Sequence, residues 1–505
     1  MTLSETLYDL LIVGGGVNGA GLARDAAGRG LKVLLVEKDD LGQGTSSRSS
    51  KLIHGGLRYL EFGEFRLVRE SLIEREVLLR AAPHIVQPMR FVLPHAPEQR
   101  AAFLVRTGLF LYDHLGGRER LPGTRSLDLR RDPEGAPLKD AFRRGFLYSD
   151  CWADDARLVV LNAVDAARRG AVVRTRTVLT GARRANGLWQ AELHDRATGE
   201  RRSVAARALL NAAGPWVEEV VGRTGINATR RVRLVQGSHI VTAKFWDGPQ
   251  AFLIQNDDQR VVFVIPYEDR HALIGTTDIP FTGDPAEVAI SPAETEYLLR
   301  VVNRAFKRQL GPADIVHSFS GVRPLHDDAA DKNASAVTRD YVFDLSPETP
   351  NGSAPLLSVF GGKITTYRRL AEHALDRLAP FFPAAGPAWT RDAPLPGGDM
   401  PGADFDLFRA ELARRVPGLP EELRLHYGRL YGTTAFDILA GVTTVADLGR
   451  HWGAFLYGRE IDHLVQQEWA REPDDILWRR TKHGLHMSRT EREAFAAAFT
   501  ERAAA

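Results

Sequence analysis

Apolar and polar positions repeat at two different spacings along the chain, and the switches between them outline its elements. Residues 10–13 form an apolar run of strand length, followed by a glycine cluster, an Ala-rich helical stretch and a second apolar run at 32–36. A long amphipathic helix is predicted from near Glu64, and another in ARLVVLNAVDAARRG, where Asp154 and Asp155 read as N-cap and first-turn acids. The strand AVVRTRTVL follows, then an antiparallel excursion, then the strand ALLNAAGPW. From about 230 to 342 short alternating strands dominate (RLVQGSHIVTA, AFLIQ, RVVFVIPYE, HALIGTTD), interrupted by one helix near 292–309. At Pro355 the pattern becomes strand, Gly-Gly turn and a helix starting near Thr365; a Pro/Gly-rich stretch, APLPGGDMPGAD, then leads into a helical C-terminal region.

The first unit carries candidate chemistry. Gly14, Gly16 and Gly19 stand at G-x-G-x-x-G spacing between strand and helix, with Asn18 inside the turn and Glu37 closing the second strand. Glycines here permit a tight turn, close approach of backbone to a pyrophosphate and close helix packing, while free helix N–H groups face the anion. Glu37 is expected to accept the adenosine ribose hydroxyls. The motif predicts a dinucleotide site without separating FAD from NAD.

Length and charge narrow the classes. A chain of 505 residues should hold two or three domains, and 66 Lys plus Arg against 64 Asp plus Glu leaves a net charge of +2, which gives no global pull toward nucleic acid. The single cysteine, Cys151, excludes an internal disulfide and a CxxC pair, and no metal site is expected. The first strand begins within ten residues of Met1, so no signal peptide is expected and the compartment reads as cytosolic. No run reaches 18 consecutive apolar residues, which excludes a spanning helix and leaves monotopic attachment open. The most apolar stretch outside the strands, RAAFLVRTGLFLYDHL (100–115), reads first as a buried helix, or else as an amphipathic segment dipping into a membrane face beside Arg118 and Arg120.

After Glu37 a Gly/Ser-rich loop offers hydroxyls and small side chains at Thr45, Ser46, Ser47, Ser49 and Ser50, with donors at Lys51, His54 and Arg58. This loop, TSSRSSKLIHGGLRYLE (45–61), together with the dinucleotide unit, closely resembles the FAD-dependent glycerol-3-phosphate dehydrogenase family. The resemblance continues through YDHLG (112–116), YSDCWADDARLV (148–159), LLNAAGPWV (209–217), QGSHIV (236–241), VFVIPY (262–267), IGTTD (274–278), SGVRPL (320–325) and VFGGKITTYRRLAEHAL (359–375).

That resemblance implies an α/β fold, α+β overall. Its parts are a discontinuous Rossmann-type FAD-binding domain (1–90, 145–220, 355–385), an antiparallel substrate-binding domain (91–144, 221–354) and a helical C-terminal domain (394–505). It implies Val178 near the adenine, Gly214 near the pyrophosphate, and the flavin pyrimidine beside Gly361, Gly362 and Thr365, where a helix N-terminus favours the charge of reduced flavin. Glycerol 3-phosphate needs several fixed cations; Arg58, Arg323 and Lys363 meet that need, with hydroxyls from Tyr59 and Thr276. Oxidation at C2 also needs a general base, for which His54 and His239 compete, His239 slightly preferred. The expected reaction yields dihydroxyacetone phosphate and passes electrons to membrane quinone. An oxidase using oxygen and an amine or amino-acid oxidase are the alternatives. Peripheral attachment to the inner face of the cytoplasmic membrane is implied and homodimerisation left open. The basic cluster WRRTKHG (478–484) reads as surface or interdomain pairs.

Overall fold

The computed structural model describes residues 6–96, 101–227, 230–258, 260–326, 340–347 and 352–504. Two large sheets and a helical unit make up the α/β fold.

The strand Leu7–Val13 sits inside an eight-stranded sheet and pairs in parallel with Val33–Val36 on one side and Arg201–Asn211 on the other. Leu10, Leu11 and Ile12 are fully buried, which is why this strand reads as one apolar run: layers cover both faces of a parallel sheet. The chain re-enters this sheet through Val172–Arg174, Arg201–Asn211 and Leu356–Gly361, each beside a strand far away in sequence. Helix Val17–Gly28 packs against helices Asp155–Arg168 and Tyr367–Leu378 on one face. The Asp154 carboxylate caps helix Asp155–Arg168, accepting the Arg157 backbone N–H at 3.0 Å.

The other large sheet has ten strands. One strand in from an edge, Val232–Ala243 pairs antiparallel with His271–Gly275 and Ile315–His326, in a register that sets His239 beside Gly275 and Phe319 and Val235 beside Arg323. Helix Pro292–Ala305 begins at a capping box of Ser291 and Glu294. The buried Glu294 carboxylate also accepts Ser238 Oγ and Thr277 Oγ1, both at 2.7 Å, so the helix end fixes the strands that flank His239.

The C-terminal helices Phe405–Arg415, Glu421–Tyr431, Gly458–Gln467 and Arg489–Ala504 surround a core of their own that includes Phe408, Tyr427, Leu464, Ile476 and Phe495. The basic cluster seals this unit to the rest. Arg480, wholly buried, grips Asp40 bidentately at 2.6 and 2.8 Å, and Lys482 pairs with Asp154. Of the two readings of this cluster, the pairs of Arg480 and Lys482 answer to the interdomain one, and they are buried.

The apolar stretch at 100–115 corrects an expectation. Arg100 lies outside the described residues, and helix Ala102–Leu115 buries only Leu109 and Tyr112. Phe103 is 68% exposed, Leu104 52%, Phe110 53% and Leu111 39%, so this is not a buried helix. One edge is spent on packing under the loop at Gly55, and the wider apolar face has no partner among the described residues. Among those residues no helix is long and apolar enough to cross a membrane.

Candidate active site

A cavity of about 370 Å³ runs along the edge of the dinucleotide sheet into the antiparallel sheet. At one end it is lined by Thr177, Val178 and Leu179, in the middle by Gly14, Gly16, Asn18, Gly214 and Trp216, and at the other end by His54, His239, Arg323 and Lys363.

The middle is built by glycine. Gly14 has φ +107°, and a Cβ there would lie 2.5 Å from the Ala212 carbonyl oxygen, so the strand-to-helix turn admits no side chain. Gly16, the N-cap of helix Val17–Gly28, has no side chain to cap it; the Val17 N–H donates to Ser46 Oγ at 3.0 Å, and the positive helix end is turned to the cavity. Glu37 lines the same wall and accepts N–H groups from Gly15 at 2.5 Å and Asp39 at 2.9 Å. Burial raises its pKa, against the pull of those two donors. Asn18 Oδ1 and His239 Nδ1 are buried cavity-lining atoms without a hydrogen-bond partner. Such a cradle, with an acid at the ribose end, a helix N-terminus at its waist and orphaned polar atoms, fits a dinucleotide.

The far end gathers chemistry from four parts of the chain. His239 is stacked on Phe319 at 4.9 Å, and its Nε2 is 2.9 Å from Ser50 Oγ. Burial, then the charges of Lys51 and Arg323, push its pKa down to about 3, so the ring is neutral. His54 presents its ring edge-on to Phe263 at 6.1 Å, and its backbone N–H donates to Thr365 Oγ1 at 3.3 Å. Arg323 Nη2 donates to the Thr277 carbonyl at 2.8 Å and is 3.2 Å from Asp278. The Lys363 ammonium stands 4.0 Å from the centre of the Tyr59 ring. Tyr59 and Thr276 line the cavity as well.

Of the residues singled out from sequence, Thr45, Ser46, Gly361, Gly362 and Thr365 also line this cavity, whereas Gly19, Ser47, Lys51 and Arg58 do not. Gly19 faces inward, where a Cβ would sit 1.8 Å from the Gly14 carbonyl oxygen. The Lys51 side chain is engaged by the protein and does not line the cavity. Its buried ammonium pairs with Asp155 at 2.9 Å and donates to the Ser47 carbonyl at 3.0 Å, held by the acid that starts helix Asp155–Arg168. Arg58 is half-buried in the short helix Leu57–Phe62 beside Tyr59. Sequence reasoning passes over Arg48, which lines the cavity and donates to the Ser320 carbonyl at 2.9 Å, and Trp216, whose ring carries Lys38 at 4.2 Å. Arg48 sits among the hydroxyl residues of TSSRSS, and that company was its only signal.

Comparison with known proteins gives a consistent outcome. The family model described as FAD dependent oxidoreductase matches residues 9–368, and the C-terminal domain of alpha-glycerophosphate oxidase matches residues 388–503. The chain is 59% identical to D-erythritol 1-phosphate dehydrogenase of Brucella abortus, over 96% of each chain. It is 57% identical to glycerol-3-phosphate dehydrogenase of Pseudomonas aeruginosa, over 95% of this chain and 93% of the relative. The crystal structure of glycerol-3-phosphate dehydrogenase from Bacillus halodurans complexed with FAD aligns with a TM-score of 0.78 and 27% identity, covering 99% of this chain and 91% of that one.

Proposed function

The chain belongs to the FAD-dependent glycerol-3-phosphate dehydrogenase family, and from that premise we propose that it oxidises sn-glycerol 3-phosphate to dihydroxyacetone phosphate and delivers the electrons to membrane quinone. The observation that carries this reading is the convergence of Arg323, Lys363, His54 and His239 at one end of the glycine-turn cavity. Residues 1–90, 145–220 and 355–385 then mainly bind the cofactor, 91–144 and 221–354 mainly the substrate, and 394–505 form the helical domain. The expected bounds shift where strands Val86–His95 and Arg144–Ala153 join the antiparallel sheet and Tyr341–Ser346 the dinucleotide sheet, and His54, Tyr59 and Lys363 reach the substrate from the cofactor part.

FAD, when bound, supplies the acceptor for the hydride leaving C2. The protein does the rest. Arg323 and Lys363 hold the phosphate, which carries about −1.5 to −2 at neutral pH, and Tyr59 and Thr276 add hydroxyl donors. His54 takes the proton of the C2 hydroxyl. His239 is the weaker base because a proton there meets burial and two neighbouring cations; as a neutral ring anchored on Ser50 it orients the substrate instead. The helix Tyr367–Leu378, entered through the turn Ile364–Thr366, directs its positive end to the cavity and favours negative charge on the reduced cofactor.

The exposed apolar face of helix Ala102–Leu115 supports attachment to the inner face of the cytoplasmic membrane, with Phe103, Leu104, Phe110 and Leu111 in the acyl boundary and Arg106 among headgroups. A second substrate, D-erythritol 1-phosphate, is raised by the 59% identical relative; it keeps the phosphate and lengthens the polyol.

Anaerobic absorbance of the purified flavoprotein tests the reading. Glycerol 3-phosphate should bleach the flavin band, and glycerol or a D-amino acid should not. Bleaching by D-erythritol 1-phosphate alone would move the assignment to the longer substrate, and reoxidation by oxygen faster than by quinone would make the protein an oxidase.

A further inference from the structure

The helical C-terminal unit holds a second cluster of chemistry-bearing side chains that the proposed reaction leaves unused. His426 on helix Glu421–Tyr431, Glu460 in the first turn of helix Gly458–Gln467 and His483 in the turn His483–Leu485 each offer one ligand atom, all within 4.8 Å of one another. The Glu460 carboxylate is fully buried; its Oε1 accepts the Tyr431 hydroxyl at 2.7 Å and lies 2.8 Å from His426 Nε2. Its Oε2 has no hydrogen-bond partner, and neither do the two ring nitrogens of His483, which is 2% exposed, nor the Tyr427 hydroxyl. Native folds rarely leave so many buried polar atoms unsatisfied in one spot.

We propose that His426, Glu460 and His483 bind a divalent first-row transition ion, zinc being the best match. Two imidazoles and one carboxylate form a donor set of intermediate softness that suits zinc better than magnesium or calcium, which prefer all-oxygen shells. Stacking at 4.7 Å between the His483 and His426 rings orients two ligands before any ion arrives. Burial and the surrounding histidines His426, His486 and His451 keep His483 neutral, the form whose lone pair ligates. The Tyr431 hydroxyl holds the carboxylate from behind, as supporting hydrogen bonds do around metal ligands. Tyr427 and Phe455 shield the cluster, with ring centres 5.3 and 5.7 Å from that of His426.

The position gives the ion a structural task. His483 directly follows Lys482, which pairs with Asp154, and the same segment carries Arg480, which grips Asp40. An ion joining His483 to two helices therefore fastens the segment that locks the C-terminal unit onto the dinucleotide fold. It takes no part in redox chemistry.

The test uses the full-length flavoprotein without a polyhistidine tag, stripped with EDTA. Titration with Zn²⁺ should show one tight site per chain and raise Tm, and Co²⁺ should give visible d–d absorption from a low-coordinate site. His483→Phe keeps the ring stack and Glu460→Gln keeps an acceptor for Tyr431; each should weaken zinc binding by more than about 100-fold with the flavin spectrum unchanged. A parent protein that takes up no zinc would overturn the proposal. So would variants that bind zinc as tightly as the parent. Should a variant fail to fold, the parent titration and the cobalt spectrum decide.

Discussion

The phenol of Tyr112 donates to Asp150 at 2.9 Å while its oxygen accepts the backbone N–H of Gly55 at 2.7 Å. Arg75 closes the network on Asp150 at 2.7 Å, and all three side chains are buried. The backbone of the residue next to His54 thus hangs on a Tyr–Asp–Arg chain. Tyr112→Phe removes both of its hydrogen bonds and is expected to destabilise by about 1–3 kcal/mol and to let His54 drift. Steady-state kinetics should show kcat falling more than KM changes, with flavin content retained; an unchanged kcat would argue against His54 as the base.

Two glycines of the antiparallel sheet make room for two different functional side chains. A Cβ on Gly275 would lie 2.1 Å from His239 Cδ2, and one on Gly237 would lie 2.6 Å from Arg323 Nη2. Gly275→Ala should therefore lower kcat, by roughly 100-fold for an ångström of displacement, whereas Gly237→Ala should mainly raise the KM for the phosphorylated substrate. Equal effects of the two variants on both constants would contradict the division of labour proposed above.

Asp40 answers Arg480 and Arg479 in a region closed to water, and those two arginines hold its pKa below the ordinary carboxylate range against the cost of burial. Asp40→Asn strands the charge of Arg480 and is expected to cost about 3–5 kcal/mol. Chemical denaturation followed by flavin release and by far-ultraviolet circular dichroism should show the loss. A variant as stable as the parent would mean that the C-terminal unit is fastened elsewhere.

His84 is wholly buried with neither ring nitrogen bonded, and burial, followed by the charges of Arg157 and Arg429, pushes its pKa down to about 3. Unfolding returns it to an ordinary value near 6.5, so between those pH values the unfolded chain binds the extra proton. The stability tied to its neutral form is intact above pH 6.5 and is lost as pH falls, at up to about 1.4 kcal/mol per pH unit. In His84→Leu, Tm should fall less steeply than in the parent between pH 7 and about pH 5. Parallel curves would mean that His84 is protonated in the fold.

The exposed face of Ala102–Leu115 makes a separate prediction. Replacing Phe103 and Phe110 by Ser removes two large apolar anchors, each contributing about 1.5–3 kcal/mol when buried in lipid. Binding to anionic vesicles, measured by cosedimentation, should weaken by about 100-fold or more, while turnover with a soluble dye acceptor stays as in the parent. Undiminished vesicle binding would argue against the membrane role proposed for this helix.

The dinucleotide unit was legible because its signals are local: a glycine turn between strand and helix occupies a few dozen residues, although the contact that demands glycine at Gly14 comes from distant Ala212. The far end of the cavity was legible only through family resemblance, since Arg323, Lys363 and His54 meet by long-range pairing that periodicity does not encode. Lys51 shows the limit. Among serines it looks like a cofactor donor, and only the fold reveals Asp155 as its partner. Helix Ala102–Leu115 misleads in the opposite sense, because an apolar composition does not say whether protein or another medium covers it. His426, Glu460 and His483, scattered over the last hundred residues, leave no linear trace at all.

The first strand has one further consequence, for biosynthesis. Leu7–Val13 acquires its partner Arg201–Asn211 only when that segment has been translated, and the edge built by Leu356–Gly361 comes later still. At about 5–20 residues per second the opening strand waits on the order of 10–40 s on the ribosome with an apolar edge unpaired. Until then the strand has only Val33–Val36 beside it, so the parallel sheet is completed late and from segments far apart in the chain.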